Sequence, residues 1–227
     1  MPNLTFAQTA DGSRTIFNAE VGEHYHSRHG ALQESQHVFL QSGLNYFREK
    51  SGLQEAKILE VGFGTGLNFL LTADLSQEKK IRVQYTGIEA YPLPFDMISK
   101  TEYDQYVSAG IWDRFLNSYM ASFTSSVQIG DFCELEIAEC KLHDFTSKQT
   151  FDVIYFDAFA AIHQPDMWTD EALSHVCSFL NPGGVFVTYA ITGNLKRSMK
   201  ALGFNIEKVP GAPGKREMLR AVKLELI

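Results

Sequence analysis

The sequence has few features of a membrane or secreted protein. It contains no run of about 18 apolar residues, and its start, MPNLTFAQTADGS, lacks the basic-then-apolar pattern of a secretory signal. Only three cysteines occur, Cys133, Cys140 and Cys177, and none are in CxxC spacing. Buried free thiols in a reducing compartment are the interpretation we favour. We therefore expect a cytoplasmic protein with no membrane partner.

Positive charge is also scarce. The chain has 20 Lys and Arg against 27 Asp and Glu, a formal net charge of −7, which argues against a uniformly basic nucleic-acid-binding protein. From residue 196 onward, however, Lys and Arg outnumber the acids. This basic segment could bind a polyanion locally, or it could be an ordinary solvated surface.

Hydrophobic patterning predicts an α/β protein. LTFAQ and RTIFN alternate around ADGS, which indicates a hairpin over residues 3–18, and ALQESQHVFLQSGLNYFREK has helical spacing. From residue 57, strands alternate with helices, two of them over about 93–107 and 109–123. This alternation predicts a Rossmann-like, mostly parallel central sheet with helices on both faces. We expect residues 1–52 to form an N-terminal hairpin and helix extension packed on a domain of residues 53–227.

A glycine-rich turn follows the first predicted parallel strand. In ILEVGFGTGLNFLL, residues 58–71, Glu60 precedes Gly62, Gly64 and Gly66. Glycine leaves no side chain between backbone and ligand, and the following helix start offers free N–H groups. A dinucleotide fingerprint needs Gly or Ala where this chain has Leu67. E-x-G-x-G-x-G is instead typical of S-adenosyl-L-methionine (SAM) methyltransferases, so we expect SAM as cofactor.

Two further strands also end in acids. Glu89 ends the next strand, where a carboxylate can accept hydrogen bonds from both ribose hydroxyls. Asp157 ends the strand FDVIYFD, whereas Asp152, at its start, should be structural. A glycine turn that only packs a helix on a strand is the alternative, and Phe63 could equally be packing. The candidate cofactor residues are Glu60, Gly62, Phe63, Gly64, Thr65, Gly66, Asn68, Glu89, Lys141, Leu142 and Asp157.

Asp157 is the candidate catalytic residue. Methyl transfer is an in-line displacement, so the enzyme mainly positions the acceptor and excludes water. An amine acceptor must lose a proton, which a carboxylate can receive. A helix cap or a contact to SAM alone is the competing interpretation of Asp157. Phe159 and Trp168 are candidate walls for a planar base, although core packing is the commoner fate of such side chains.

Four histidines lie near the start of the chain: His24, His26, His29 and His37. No cysteine or acid completes a familiar metal-ligand spacing around them, so we expect no metal. Some of them could line a substrate mouth instead.

Several stretches together resemble one family. LEVGFGTGLNFL, YFDAFAAIHQPDMWT, LNPGGVFVTYAITGNLKRSMKALGF, PGAPGKREMLRA and GALQESQHVFLQSGL are similar to the MnmD-type methyltransferases, which match the methyltransferase half of the bifunctional MnmC enzyme. The resemblance runs over about residues 25–222, and QPDMWT and GKREMLRA are its most specific parts. It implies SAM-dependent methylation of the primary amine of 5-aminomethyl-2-thiouridine at tRNA wobble position 34, giving the 5-methylaminomethyl base.

The resemblance also implies partners and residue roles. The chain has no room for an FAD-dependent oxidase half, so we expect a stand-alone methyltransferase whose aminomethyl precursor comes from another enzyme. Glu60, Gly62, Gly64, Gly66 and Glu89 would bind the cofactor, and Asp157 would bind the amine. With tRNA as partner, the candidate phosphate contacts are Lys196, Arg197, Lys200, Lys215 and Arg216.

The chain departs from the family pattern at two places. Ala161 and His163 stand where relatives have proline and a basic residue, and Lys141 stands where an acid usually meets the adenine amino group. Asp144, or backbone groups at Lys141 and Leu142, could replace that acid.

Three other functions are compatible with parts of the sequence. The first is a SAM-dependent N-methyltransferase acting on a small amine metabolite. The second is an aminopropyltransferase, which generally has acids in the glycine loop where this chain has Phe63 and Thr65. The third is a non-catalytic module that binds SAM or tRNA.

Overall fold

The structure, a computed structural model, describes residues 3–225 and arranges them around two sheets. The strands are β1 (Leu4–Gln8), β2 (Arg14–Asn18), β3 (Glu23–His24), β4 (Glu55–Val61), β5 (Arg82–Ile88), β6 (Val127–Ile129), β7 (Cys133–Ala138), β8 (Phe151–Phe156), β9 (Leu180–Thr188), β10 (Phe204–Pro210) and β11 (Glu217–Lys223). The α-helices are α1 (Ala31–Glu34), α2 (Tyr46–Ser51), α3 (Leu67–Lys79), α4 (Phe95–Ile98), α5 (Ala109–Ser118), α6 (Asp170–Ser178) and α7 (Gly193–Ala201). A π-helical stretch, Ser35–Asn45, joins α1 to α2.

The larger sheet has eight strands in the order β10-β11-β9-β8-β4-β5-β7-β6. Strands β9, β8, β4, β5 and β7 are parallel to their neighbours in that row, whereas β11 and β6 pair antiparallel. The predicted α/β fold with a mostly parallel sheet is therefore confirmed. The chain leaves β4 toward β5 on one side and later returns to β8 on the other. Ligands of such sheets bind at this reversal, outside the carboxyl ends of the strands.

The N-terminal hairpin and helix are confirmed. β1 and β2 pair antiparallel with Leu4 opposite Asn18, and β3 adds a third strand. Residues 31–51 form one continuous helical segment, here called the N-terminal helix, which ends at Gly52 with a positive φ of 72°. Its apolar face packs in the same core as the larger sheet, where the Phe39 and Tyr155 rings lie 5.2 Å apart. The division at residue 52 stays a prediction.

The helix predicted over residues 93–107 is wrong. The structure has only the single turn α4 and a 3₁₀ turn, Tyr103–Gln105, in this region. Glu102 adopts a positive φ of 62°, which a continuous helix cannot contain. Tyr103 is fully buried, and its hydroxyl donates to the carbonyl of Arg14 and to Thr65 Oγ1. Burial of this one side chain overrides the helical pattern.

The predicted structural role of Asp152 is confirmed, and a second hairpin closes one edge of the larger sheet. The β6–β7 hairpin turns at Gly130, whose φ is 73°. Asp152 is structural, because its carboxylate accepts the Lys57 N–H at 2.8 Å and the Asn181 amide at 2.8 Å. It thereby ties β8 to β4 and β9 at the edge opposite to the strand carboxyl ends. Within residues 3–225, no helix is long and apolar enough to cross a membrane.

Gly43 should show how tightly the N-terminal helix packs on the sheet. A Cβ there would lie 2.9 Å from the Tyr155 ring and 3.0 Å from Val187. Overpacking of this kind typically costs about 1–3 kcal/mol, so Gly43→Ala should lower the urea-unfolding free energy although alanine favours helix. Gly110→Ala in α5 is the control, since nothing lies within 4 Å there, and it should be neutral or stabilising by up to ~1 kcal/mol. Equal effects would contradict the packing argument.

Candidate active site

The glycine turn lies across the ends of β5 and β8. Gly62 has a positive φ of 86°, and its N–H donates to the carbonyl of Ile88 at 3.0 Å. A Cβ on Gly62 would stand 2.6 Å from the carbonyl oxygen of Asp157. Any side chain here would therefore clash with backbone that cannot move aside. The turn offers bare backbone at the strand ends, as the sequence predicts for a SAM cradle.

Glu89 is connected directly to this turn. Its Oε2 accepts the Gly64 N–H at 2.9 Å and its Oε1 accepts the Tyr91 N–H at 3.0 Å. A carboxylate has about four acceptor positions, so these bonds orient Glu89 and still leave capacity for ribose hydroxyls. Burial raises the pKa of Glu89.

Asn68 joins two of the three predicted carboxyl groups. Its Nδ2 donates to Glu60 Oε1 at 2.8 Å and to Asp157 Oδ2 at 2.8 Å. The Tyr85 hydroxyl donates to the second oxygen of Glu60 at 2.9 Å. Glu60 and Asn68 are buried, and burial raises the pKa of Glu60 well above its usual value, with a contribution from nearby Asp157. Asn68 lies on α3, so the helix start fixes the separation of the two acids.

Two other residues of the turn serve the core through their side chains. Phe63 is buried and packs with Phe69 and Phe115, so only its backbone is free to approach a cofactor. The hydroxyl of Thr65 accepts from Tyr103 at 3.1 Å. Gly66 takes a positive φ of 78° immediately before α3 and presents the helix N-terminus.

The structure shows which residues follow β7. Lys141 is exposed, and the 3₁₀ turn Leu142–Asp144 begins with the buried Leu142 and ends with the exposed Asp144. β7 ends at Ala138, so Glu139 is the residue immediately past the strand, in the position that Glu89 has after β5. Glu139 is exposed and places an acid at this strand end, which the motifs of the sequence do not indicate.

A cavity of about 290 Å³ adjoins the cofactor edge. The segment 22–28, the N-terminal helix, the end of β8 and the β10–β11 loop line it. We name this cavity the acceptor pocket. Its wall carries three carboxyl groups, three aromatic rings and a lysine: Glu23, Glu34, Asp157, Tyr25, Phe159, Tyr189 and Lys215.

Asp157 is the residue that the cofactor edge and the acceptor pocket share. It is half-buried, its N–H donates to the carbonyl of Val61 at 2.9 Å, and Asn68 donates to its carboxyl group. Burial raises the pKa of Asp157 to about 8, and Glu34 and Glu23 add to the increase, whereas Asn68 and Lys215 oppose it. A carboxyl group with a pKa near neutral pH suits proton transfer.

The two predicted aromatic walls are placed differently. Phe159 lines the acceptor pocket, with its ring centroid 5.1 Å from that of Tyr25. Trp168 packs edge-on against Phe156 at 5.0 Å, and its Nε1–H donates to the carbonyl of Phe159 at 2.8 Å. Trp168 therefore supports the wall from behind.

The basic candidates do not form a single patch. Lys196 and Arg197 lie in the first half of α7, after the carboxyl end of β9, whereas Lys200 lies in its last turn. Arg216 is exposed on the β10–β11 loop, which starts at the carboxyl end of β10. Lys215, on the same loop, points into the acceptor pocket.

The four N-terminal histidines have separate environments. His24 stacks obliquely on Phe17, His26 lies between Thr15 and Thr65, His29 lies against Gly214, and His37 is within 2.7 Å of the carbonyl of Pro210. Over residues 3–225, the side chains of His, Cys, Asp and Glu form no group of three suited to a metal ion. Two of the histidines, His24 and His26, line the acceptor pocket.

Sequence reasoning missed most of this pocket. Glu23 and Tyr25 lie outside every motif, whereas Glu34 and Tyr189 lie inside the family stretches GALQESQHVFLQSGL and LNPGGVFVTYAITGNLKRSMKALGF, which do not indicate that these side chains line a pocket. Glu23 is linked to the loop after β8 through the Ala160 N–H, which donates to its Oε2 at 2.8 Å. Glu23, Tyr25 and Glu34 lie more than a hundred positions from Tyr189, so spacing alone gives no signal.

Comparison with known proteins agrees with the site geometry. A family model described as S-adenosyl-L-methionine-dependent methyltransferase matches residues 96–224, more than half of the chain. The chain belongs to this family. Its cofactor is therefore SAM, and the bare glycine backbone beside Glu89 and Asp157 fits that molecule.

The most similar relatives include bifunctional enzymes. The chain is 29% identical over 221 residues to the tRNA 5-methylaminomethyl-2-thiouridine biosynthesis bifunctional protein MnmC of Methylobacillus flagellatus, covering 89% of this chain and 33% of that protein. It is 32% identical over 209 residues to MnmC of Leptospira borgpetersenii, covering 86% and 31%. The chain thus spans about a third of the length of these relatives. The resemblance to MnmD-type methyltransferases is confirmed.

Solved structures show the same fold. MNMC2 from Aquifex aeolicus superposes with a TM-score of 0.76 at 22% identity, covering 100% of this chain and 72% of that one. The sugar N-methyltransferase KedS8 from Streptoalloteichus superposes with a TM-score of 0.51 at 13% identity, covering 85% and 87%.

Removing the charge of Asp157 should stabilise the SAM-free protein in a pH-dependent way. Because the folded pKa is raised above the unfolded value of 3.8, folding binds a proton and wild-type stability falls as the pH rises from about 4 to about 8. Asp157→Asn avoids this cost. We expect the variant to match the wild type near pH 4 and to exceed it by roughly 1–3 kcal/mol at pH 8 to 9, measured by urea unfolding; this is less than the full shift would give, because Asp157 is half-buried and solvent screens its charge. A difference that is constant with pH would contradict the raised pKa.

Proposed function

We propose that this protein methylates the primary amine of 5-aminomethyl-(2-thio)uridine at tRNA wobble position 34, giving 5-methylaminomethyl-(2-thio)uridine. The observation that carries the proposal is the position of Asp157, between the glycine cradle and the acceptor pocket. The names of the MnmC relatives support the choice of substrate. The tRNA substrate must already carry the aminomethyl group, and a cytoplasmic location stays a prediction.

The walls of the acceptor pocket suit a planar base that carries an amine. Three carboxyl groups, those of Glu23, Glu34 and Asp157, line the pocket against two cations, Arg28 and Lys215, and this excess of acids favours an alkylammonium group. The rings of Tyr25 and Phe159 can contact the faces of a base. A wobble nucleotide in a single-stranded anticodon loop can be turned out of its stack to reach such a pocket.

Asp157 would hold the amine and take its proton. SAM, when bound, supplies an electrophilic methyl group on a positively charged sulfur. The acceptor nitrogen needs a free lone pair, so an ammonium must first lose one proton, and the carboxylate of Asp157 can accept it. Asn68 fixes the orientation of that carboxylate from the cofactor side. In the overall reaction the nitrogen gains one methyl group and the proton passes through Asp157 to solvent.

The decisive test is methyl transfer from labelled SAM to tRNA that lacks only this methyl group. Nucleoside mass spectrometry should locate the label on the uridine at position 34. Asp157→Asn should reduce kcat by about 10²–10⁴-fold, with SAM affinity changed much less. Label on a small amine, with none on tRNA, would instead support the alternative of a SAM-dependent N-methyltransferase acting on a small amine metabolite. Label at the normal rate with Asp157→Asn would refute the role of Asp157.

The exposed cations nearest the site edge should contact tRNA phosphates. Arg197 lies in the first half of α7, after the carboxyl end of β9, and Arg216 lies on the β10–β11 loop, after the carboxyl end of β10, which runs in the same direction as β9. Each phosphate contact contributes about one unit to the salt dependence of binding. Arg197→Ala with Arg216→Ala should therefore weaken tRNA binding and reduce the slope of log K against log salt by about two.

Lys148→Ala is the matched control for this measurement. Lys148 is exposed and precedes β8, so it lies at the opposite edge of the sheet. The slope for this variant should equal that of the wild type. Equal slopes for the control and the double arginine variant would place the tRNA elsewhere on the protein.

A further inference from the structure

We infer that Lys215 is a positioning residue, held by Glu34 and Tyr189, which keeps Asp157 ready to accept a proton from the substrate amine. Glu34 acts in the opposite direction, because its negative charge disfavours the carboxylate form of Asp157 whereas the positive charge of Lys215 favours it. The inference rests on the proposed amine methylation for its purpose, but its physical basis is present without substrate.

The first part of the argument is the ion pair between Glu34 and Lys215. Lys215 Nζ lies 2.7 Å from Glu34 Oε1, and the side chain of Glu34 is only 7% exposed. The other oxygen of Glu34 accepts the Ser27 N–H at 2.9 Å. Glu34 therefore joins the N-terminal helix, the segment 22–28 and the β10–β11 loop. The Lys215 side chain is 30% exposed, so the pair is partly buried and is screened less by salt than a fully exposed pair.

Tyr189 places the ammonium group of Lys215 from the other side. Lys215 Nζ lies 3.7 Å from the centroid of the Tyr189 ring, within the range of a cation–π interaction. The Tyr189 hydroxyl donates to the carbonyl of Ala158 at 2.9 Å. Ala158 directly follows Asp157, so the contacts of Lys215 lead back to the backbone that carries the catalytic carboxyl group.

The loop that carries Lys215 is docked closely on the N-terminal segment. Gly214 has a positive φ of 86°, and a Cβ there would lie 2.3 Å from the His29 ring. The carbonyl of Pro210, at the other end of the loop, lies 2.7 Å from the ring nitrogen of His37. Because both ends of the loop lie close to the N-terminal segment and helix, the packing of the fold fixes the position of Lys215.

Several charged groups act on Asp157. Glu34 and Glu23 raise its pKa, and Lys215 lowers it. The charged and titratable groups on the elements around Asp157 are Glu60 on β4, Glu89 after β5, Glu23, His24, Tyr25, His26 and Arg28 on the segment 22–28, Glu34 on α1, Tyr189 after β9 and Lys215 on the β10–β11 loop. Lys215 lowers the pKa of Asp157 and its ion-pair partner Glu34 raises it, so the two side chains act on Asp157 in opposite directions.

Opposite pH shifts in two variants test the inference. Lys215→Met should move the titration of the Asp157 carboxyl group to higher pH by about one unit, and Glu34→Gln should move it to lower pH by about one unit. The measurement is carbon-13 NMR titration of the SAM-free protein, with the Asp157 signal assigned by its loss in Asp157→Asn. In methylation assays, the acidic limb of kcat against pH should move in the same directions, with about a tenfold lower kcat for Lys215→Met at neutral pH.

Control variants separate charge from packing. Lys215→Arg should keep the wild-type titration, and Lys148→Met at the opposite sheet edge should leave both titration and activity unchanged. If Lys215→Met does not fold, Lys215→Gln carries the same expected direction. Shifts of the same sign in the Glu34 and Lys215 variants, or no shift, would overturn the inference. Opposite shifts without any methylation of tRNA would uphold it and reject the proposed substrate instead.

Discussion

The arrangement of the site depends on one side chain that donates to two acids. Asn68 Nδ2 binds both Glu60 and Asp157, which would otherwise repel each other at the ends of adjacent strands. Asn68 belongs to α3, so the glycine turn must place the start of this helix at a distance from β4 and β8 that allows both hydrogen bonds. The bare backbone of Gly62, pressed against the Asp157 carbonyl, is what allows that approach. The glycine turn and the carboxyl group of Asp157 are thus positioned by the same contacts.

The second constraint is that the sheet alone does not enclose the acceptor pocket. The carboxyl ends of β8 and β9 supply Asp157 and Tyr189, but the opposite wall comes from the segment 22–28 and the start of the N-terminal helix. That helix shares its core with the sheet, so the wall is fixed by packing in the interior. Glu34 and Lys215 then join the first and last parts of the chain across the pocket.

The sequence predicted the parts of the site that follow from strand order. Glu60, Glu89 and Asp157 could be placed together because parallel strands bring their carboxyl ends to one edge. The glycine turn could be predicted because glycine leaves no side chain between the backbone and a ligand. The structure differs from the sequence prediction where contacts between residues far apart in the chain determine the local conformation or the partner of a side chain. Tyr103 is buried against Arg14 and Thr65, which breaks the expected helix over 93–107. The basic segment of the sequence predicted a phosphate contact for Lys215. Its ion pair with Glu34 could not be predicted, because the two residues lie 181 positions apart in the chain.

The three carboxyl groups on adjacent strands also bear on the end of the catalytic cycle. A methyl donor with a sulfonium carries one more positive charge than the thioether left after transfer. Where Glu60, Glu89 and Asp157 are ionised, they therefore attract the donor more strongly than the thioether. The same charges that favour binding of the donor favour the thioether less, so exchange of the by-product for a new donor is favoured electrostatically.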